Sequence, residues 1–440
     1  MILRRRQVLL TRLFSDFFSG PLFPRLYNSC KNLFLPSFHT YYIHIYESSI
    51  ITLLLNYFII QTNIQTNKRQ NMLRKCVNPF GKSPDGDQLL WHTDLKPHAS
   101  GDFSIAVVQA NSNLEDQSQV LTSPSATYVG VFDGHGGPEA SRFVNGHLFR
   151  WIDKYATQEG QMSTNVIKKA FSATEEGFLR VVKNSIQIRP QIAQVGSCCL
   201  VGVISNGELY VANLGDSRVV LGKKVSEKGK TRVVAERLSS DHNVSLVEVR
   251  KEVEAQHPGD SHIVVYCHGG WRIKGIIQVS RSIGDFFLKK PEFNRDQYLM
   301  QYGNQAPLKR PALTAEPSII SRKLRPQDLF LIFASDGLWD HLTDEEAVDI
   351  VRIHPRRGIA KRLVGTALDK ATKKRELRYN DIKKIEKGVR RRIHDDITVI
   401  VIYLDQQKKL ANGTKLGCTS PPVDIFSCKD DKKTHLVQHT

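Results

Sequence analysis

Tyr128–Pro138 reads YVGVFDGHGGP. Four residues of strand character, Tyr128, Val129, Val131 and Phe132, run directly into Asp133-Gly134-His135-Gly136-Gly137. A carboxylate at the end of a buried strand is held by its scaffold and can face a metal ion without further ordering. The glycines let the backbone pass close to a bound ion. His135 is the one side chain of the stretch that exchanges protons near neutral pH. Taken alone, the stretch is equally a strand followed by a glycine-rich turn, so the other carboxylates decide.

Three more acidic positions share this setting beside a strand end or tight turn: Glu115-Asp116, Asp336 ahead of Gly337, and Asp395-Asp396. Asp328–Ala334 (DLFLIFA) leads into Ser335-Asp336-Gly337, and Asp396–Leu404 (DITVIVIYL) follows the last pair. Each has an ordinary explanation, because Asp side chains favour turns. Four together call for offsetting charge. Aspartates without a His or Cys cluster suit hard divalent cations such as Mg²⁺ or Mn²⁺ and argue against zinc. Two such ions roughly 3.5–4 Å apart can share a water, lower its pKa and aim the hydroxide at phosphorus.

The chain around these sites reads as follows. Phe103–Ala110 and Tyr128–Phe132 are strands; Pro138–Tyr155 and Thr164–Ser185 have helical apolar spacing. Cys198–Ile204 is apolar throughout, Asn206-Gly207 signals a hairpin, and Glu208–Ala212 and Arg218–Leu221 continue the strands. Ser245–Gln256 reads as a helix, and Ile263–Tyr266 and Ile276–Ser280 as strands. Phe286–Pro317 reads as an irregular surface excursion over the site. Thr343 and Glu346 have capping-box spacing ahead of a helix to Val351, and Gly358–Leu377 is a longer helix. The sum is an α+β fold: two packed antiparallel β-sheets, a β-sandwich, flanked by helices on both sides.

The 440 residues, 40% hydrophobic and 24% charged, can bury a substantial core. The net charge of +18 admits nucleic acid, an anionic membrane or phosphorylated protein as partner. Seven cysteines, odd in number and without C-x-x-C spacing, exclude a disulfide framework or zinc ribbon and fit a reducing compartment. Cys198-Cys199 read as core. Residues 1–71 carry eight Lys/Arg against two acids and resemble an organelle presequence up to about Thr40. The apolar run Ile50–Ile60 is half the roughly 20 residues a membrane span needs. Residues 1–71 are therefore expected to be an optional extension, either targeting-like or an upstream-start addition ahead of a more ordinary start at Met72, with 72–100 a lead-in, 101–405 the phosphate-chemistry domain, and 406–440 a polar tail. Lys373–Arg392 holds ten Lys/Arg against three acids. It reads as a solvated face or as a docking site for an acidic surface. No motif for nucleic acid accompanies the charge.

VFDGHGG, the Glu115-Asp116 pair, NLGDSR (Asn213–Arg218), QVSRSIGD (Gln278–Asp285), ASDGLWD (Ala334–Asp340) and HDDITVIV (His394–Val401) occur in the order found in type 2C protein phosphatases. These are the metal-dependent protein serine/threonine phosphatases. The resemblance covers roughly residues 100–405, and AVVQANSNLEDQSQV and GTALDKATKKRELRYNDIKK look most like a plant branch. It implies that Asp133 bridges two Mg²⁺ or Mn²⁺ ions and that the Gly134 carbonyl reaches one of them. It gives Asp336 and Asp395 to the other ion, with Asp116 and Glu115 at the same centre, partly through water. His135 would protonate the leaving serine or threonine oxygen. Asp216 and Asp340 match positions linked to a weaker third ion. Asp396 stands where the family usually has Asn. One departure is clear: the phosphate-clasping Arg four residues before Glu115 is replaced by Asn111, with Arg281 and Arg218 as alternatives by type.

The resemblance further implies a phosphoprotein substrate, by analogy a regulatory threonine of the plasma-membrane proton pump, and inhibition by small auxin-induced proteins. The expected setting is a monomer in cytoplasm or nucleus, also peripheral at the plasma membrane, with organelle targeting by residues 1–71 left open. Two rival readings are a phosphatase-fold scaffold that binds phosphoprotein without turnover, and a basic nucleic-acid or membrane binder.

Overall fold

Strands with no polar alternation need cover on both faces, and the computed structural model shows what covers them. It describes residues 87–123, 126–227, 229–293 and 310–405. The expectations for residues 1–71, the Met72 start, Ile50–Ile60 and the 406–440 tail lie outside these.

Six strands form one antiparallel sheet in the order β1 (Leu90–His98), β2 (Gly101–Val108), β16 (Ile397–Tyr403), β15 (Asp328–Ala334), β9 (Arg218–Glu227), β10 (Lys230–Arg237). Five form the other: β14 (Ser318–Lys323), β8 (Glu208–Leu214), β7 (Cys199–Ser205), β4 (Ala126–Phe132), β3 (Gln117–Thr122). A short ladder joins β5 (Gly134–His135), β6 (Gly196–Ser197) and β13 (Ile283–Gly284), and β11 (Val264–Cys267) pairs with β12 (Gly270–Ile273).

Side-chain alternation sorts each central strand between two cores. In β16, Ile400 and Ile402 enter the layer between the sheets, where Phe103, Ile105, Val129, Val131, Leu331 and Phe333 meet them. Val399, Val401 and Tyr403 turn outward to α4 (Asp344–Ile353) and α5 (Ile359–Lys373). On the far side, Tyr128 and Phe132 of β4 pack against α1 (Glu139–Glu159) and α2 (Thr164–Ser185). A smaller helix, α3 (Val247–Gln256), adds Val249 and Val253 to that core. The result is helix, sheet, sheet, helix in layers.

Local signals account for several joins. Asn206 and Gly207 have φ of 51° and 76°, the left-handed pair a two-residue hairpin needs between β7 and β8. Thr343 and Glu346 form the full capping box that opens α4.

Three expectations are corrected. β1 precedes Gly101 yet pairs along β2, so the described sheet includes part of the expected lead-in. Ile276–Ser280 is not a strand: Ile277 bridges to Ile273 and Val279 to Asn243, two different segments, so no ladder extends from either. The Phe286–Pro317 stretch is not a surface excursion where described: Phe286, Phe287, Leu288, Ala312 and Leu313 are buried in the α1–α2 core.

Asp87, just ahead of β1, accepts two bonds from Arg390, at 3.0 and 3.1 Å, and both side chains are essentially inaccessible. Tyr379 Oη donates to the same carboxylate at 3.2 Å, and the Arg390 Nε donates to the Ile385 carbonyl. Asp87→Ala strands a buried guanidinium, so a loss of about 3–5 kcal/mol is expected in denaturant unfolding. A change under about 1 kcal/mol would show the pair to be solvated in practice.

Candidate metal-dependent active site

Strand geometry gathers the acids at one end of the sandwich. Asp133 follows β4, and Glu115-Asp116 precedes β3, which pairs with it in the register Gln117 to Phe132. Asp336 follows β15 and Asp395-Asp396 precedes β16; those two strands pair at Ala334 and Val399. Each sheet contributes carboxylates to the same recess.

Asp116 is buried, and its Oδ2 accepts from Ser335 Oγ at 2.8 Å and Thr398 Oγ1 at 2.7 Å. Those hydroxyls belong to the opposite sheet's strand ends, so the carboxylate ties the two sheets together. Asp396 accepts from the backbone N–H groups of Ala110 (2.6 Å), Asn111 (2.9 Å) and Glu115 (2.9 Å). Three donors suit an all-acceptor carboxylate better than they would an amide. Asp395 takes Asn111 Nδ2 at 3.2 Å and the Arg391 guanidinium at 2.7 Å. No hydrogen bond reaches the carboxylates of Asp133 or Asp336 among the described residues.

The acids raise one another's pKa. Burial first, then Asp336, Asp116 and Asp395, hold Asp133 well above the usual carboxylate range. Asp336 is raised by burial and then by Asp216, Asp395 and Asp340; Asp116 by burial and Asp396. Glu115 is pushed to about 7, chiefly by burial and then by Asp396 and Asp395. Partly buried carboxylates without donors, repelling one another, are the donor set of a hard divalent cation, and the residues fit one.

Asp216 borders the same recess, with a carboxylate oxygen within 4.8 Å of one from Asp133, and Asp340 lies one turn beyond Asp336, its N–H donating to the Asp336 carbonyl at 2.9 Å. Cys198 is buried, as its reading as core expects, and it also touches an acid. Its Sγ donates to Asp216 Oδ1 at 3.3 Å, and ligand atoms of Asp133, Cys198 and Asp216 lie within 4.8 Å of one another. Arg218 and Arg281 are not at the recess rim as free cations: the first pairs with Asp241 and Asp344, the second with Glu252.

His135 sits on β5, and its Nε2 lies 2.9 Å from Asp285 Oδ2. Burial lowers the imidazole's pKa, but Asp285 more than reverses this, leaving it above the usual 6.5. A side chain at Gly196 of the neighbouring strand would collide with both Asp285 Oδ2 and His135 Nε2, so the glycine makes room for the pair. Asp285 was overlooked as a functional residue in the sequence. Its signal was an acid directly after Ile283-Gly284 within the quoted block, with the left-handed φ of 51° visible only in three dimensions.

Residues 101–375 match the family described as Protein phosphatase 2C. A relative from Arabidopsis thaliana, "Probable protein phosphatase 2C 63", is 64% identical over 82% of this chain and 97% of its own length. The chain belongs to the protein phosphatase 2C family. "Probable protein phosphatase 2C 78" of Oryza sativa subsp. japonica is 62% identical over 79% of this chain and 90% of its own length. A solved structure, the serine-threonine phosphatase 2C from Toxoplasma gondii, shares the fold with a TM-score of 0.51 at 18% identity. It covers 71% of this chain and 98% of the Toxoplasma chain. The phosphatase thus falls in a plant branch of an enzyme family that acts on phosphorylated serine and threonine in proteins.

Charge relief gives this site a signature separate from activity. A carboxyl whose folded pKa is raised is destabilising above that pKa and neutral below its unfolded value, which for Glu115 spans 4.5 to about 7. In chelator, Asp336→Asn is expected to unfold at higher temperature than the wild type at pH 7.5, with the gap narrowing towards pH 5. Mn²⁺ at roughly a hundred times its Kd adds about 2.7 kcal/mol to a fold that holds it, and the variant should lose most of that gain. Equal melting of both proteins in chelator at pH 7.5 would contradict the repulsion.

Proposed function

We propose that the phosphatase hydrolyses phosphoserine and phosphothreonine on protein substrates at this recess, with a pair of divalent cations. The observation that carries the reading is the convergence of Asp116, Asp133, Asp336 and Asp395 from both sheets, with no hydrogen-bond donor to Asp133 or Asp336 among the described residues. Asp133, Asp336, Asp395 and the Gly134 carbonyl would hold the pair, with Asp116 and Glu115 beside it and Asp216 and Asp340 at a weaker third position. Mg²⁺ or Mn²⁺ bound there supplies Lewis-acid activation of water and screens the phosphate.

The chain's own residues do the rest. Ser335 and Thr398 fix Asp116, and the three backbone donors on Asp396 set the path of the 110–115 loop. Asp285 occupies His135 Nε2, so Nδ1 is the ring nitrogen left to pass a proton to the leaving oxygen. The ring is 29% exposed and can meet substrate. Neither Cys198 nor Cys199 serves as nucleophile in this scheme: burial holds both thiols well above their usual pKa.

The deciding assay is phosphate release from a phosphothreonine peptide with Mn²⁺ or Mg²⁺. Turnover is expected to stop in chelator and to fall at least about a hundredfold in Asp133→Asn. Peptide binding without turnover would favour the scaffold reading.

A second measurement addresses the acid. Asp285→Asn removes the charge that keeps His135 protonated, so the alkaline limb of kcat should move to lower pH. Activity should drop most at the alkaline end. A limb that stays in place would exclude the His135–Asp285 pair from proton transfer.

A further inference from the structure

A phosphate dianion entering a recess of carboxylates needs a cation on the protein side, and position 111 supplies only an amide. Arg218 is committed to Asp241 at 2.6 Å and Asp344 at 2.7 Å. Arg281 holds Glu252 at 2.8 Å and the Glu316 carbonyl at 3.2 Å. Among the described residues, Lys374 reaches only the backbone carbonyl of Asp340, at 3.4 Å. Arg391 differs: its guanidinium lies 2.7 Å from Asp395 Oδ2, while Asn111 Nδ2 donates to Asp395 Oδ1 at 3.2 Å. Arginine and asparagine therefore approach one carboxylate of the recess together.

The side chain is 54% exposed, and Asp395 is its one ion-pair partner among the described residues. Most of its planar donor fork is open to a ligand. Half exposed and paired with Asp395, an acid of the recess, it stands at the rim. The short turn Arg390–Arg392 that carries it is anchored twice on the side that enters it. Arg390 is buried on Asp87, and the Gly388 N–H donates to the Ala110 carbonyl, next to Asn111. Arg391 is thus held beside the 110–112 backbone.

We propose that Arg391 binds the substrate phosphate, supplying from the opposite side of Asp395 the charge that Asn111 lacks. The assignment rests on the phosphatase reading for its substrate. The ligand class is a phosphate monoester or inorganic phosphate, met by a bidentate guanidinium. Asn111 adds one neutral donor.

The full-length, Mn²⁺-loaded protein is titrated with inorganic phosphate by calorimetry and assayed with a phosphothreonine peptide. Arg391→Ala is expected to raise the phosphate Kd and the peptide KM about tenfold, with kcat changed less than about threefold. Arg391→Lys, which keeps the charge without the fork, should fall between. Asn111→Arg in the Arg391→Ala background should restore phosphate binding, and Arg392→Ala, in the same turn, should leave it unchanged. Absent phosphate binding in the wild type, an unchanged Kd in Arg391→Ala, or a defect that vanishes at saturating Mn²⁺ overturns the assignment. Calorimetry needs no turnover. Phosphate bound through Arg391 by a protein that leaves the peptide intact would sink the phosphatase reading alone.

Discussion

Repulsion among carboxylates at one end of the sandwich is the constraint that the rest of the molecule serves. Asp116, Asp133, Asp336 and Asp395 come from the ends of strands in both sheets, and burial makes each charge harder to hold beside the next. A flexible chain would let them part. Here the apolar layer between the sheets prevents it: Phe103, Val131, Phe333 and Ile400 are fully buried and fix the strands that end at the recess. Hydrophobic packing on one side of the strand ends holds together what electrostatics on the other side pushes apart. Divalent cations held there, as proposed above, would reconcile the two.

The hydroxyls of Ser335 and Thr398 show how closely the scaffold and the centre are joined. Both bond to one oxygen of Asp116, and the Ser335 hydroxyl also accepts from the Thr398 N–H at 3.0 Å. A small polar network of this kind is cooperative in low dielectric, since each bond polarises the next. It also locks the relative position of the two sheets at the place where error would matter most. Asp396 does the same for the loop between β2 and β3, and neither group needs to touch substrate to matter.

Much of this was legible in the chain. Continuous apolar runs such as DLFLIFA gave the central strands, because both faces of each strand are covered. The acids stood out because glycine or an apolar strand flanks them. What escaped was whatever depends on a partner far along the sequence. The polar strand Lys230–Arg237 is held by its neighbour β9, and Ser318–Lys323 by β8; neither carries an apolar pattern of its own. Asp285 gains its meaning only from His135, 150 positions away in sequence and beside it in the fold. Cys198 looked like filler until Asp216 appeared at its sulfur. Arg391 was one basic residue among ten in its stretch, and only the fold singles it out.

The bond from the Ala110 N–H to Asp396 spans 286 positions, and β2 cannot gain its inner neighbour before β16 exists. Closing so wide a loop costs entropy before any contact rewards it, which slows folding in proteins of high contact order. A nascent chain still short of β16 therefore already has α1–α5 and Asp116, Asp133 and Asp336, but no recess. The recess takes shape only when β16 pairs with both β2 and β15.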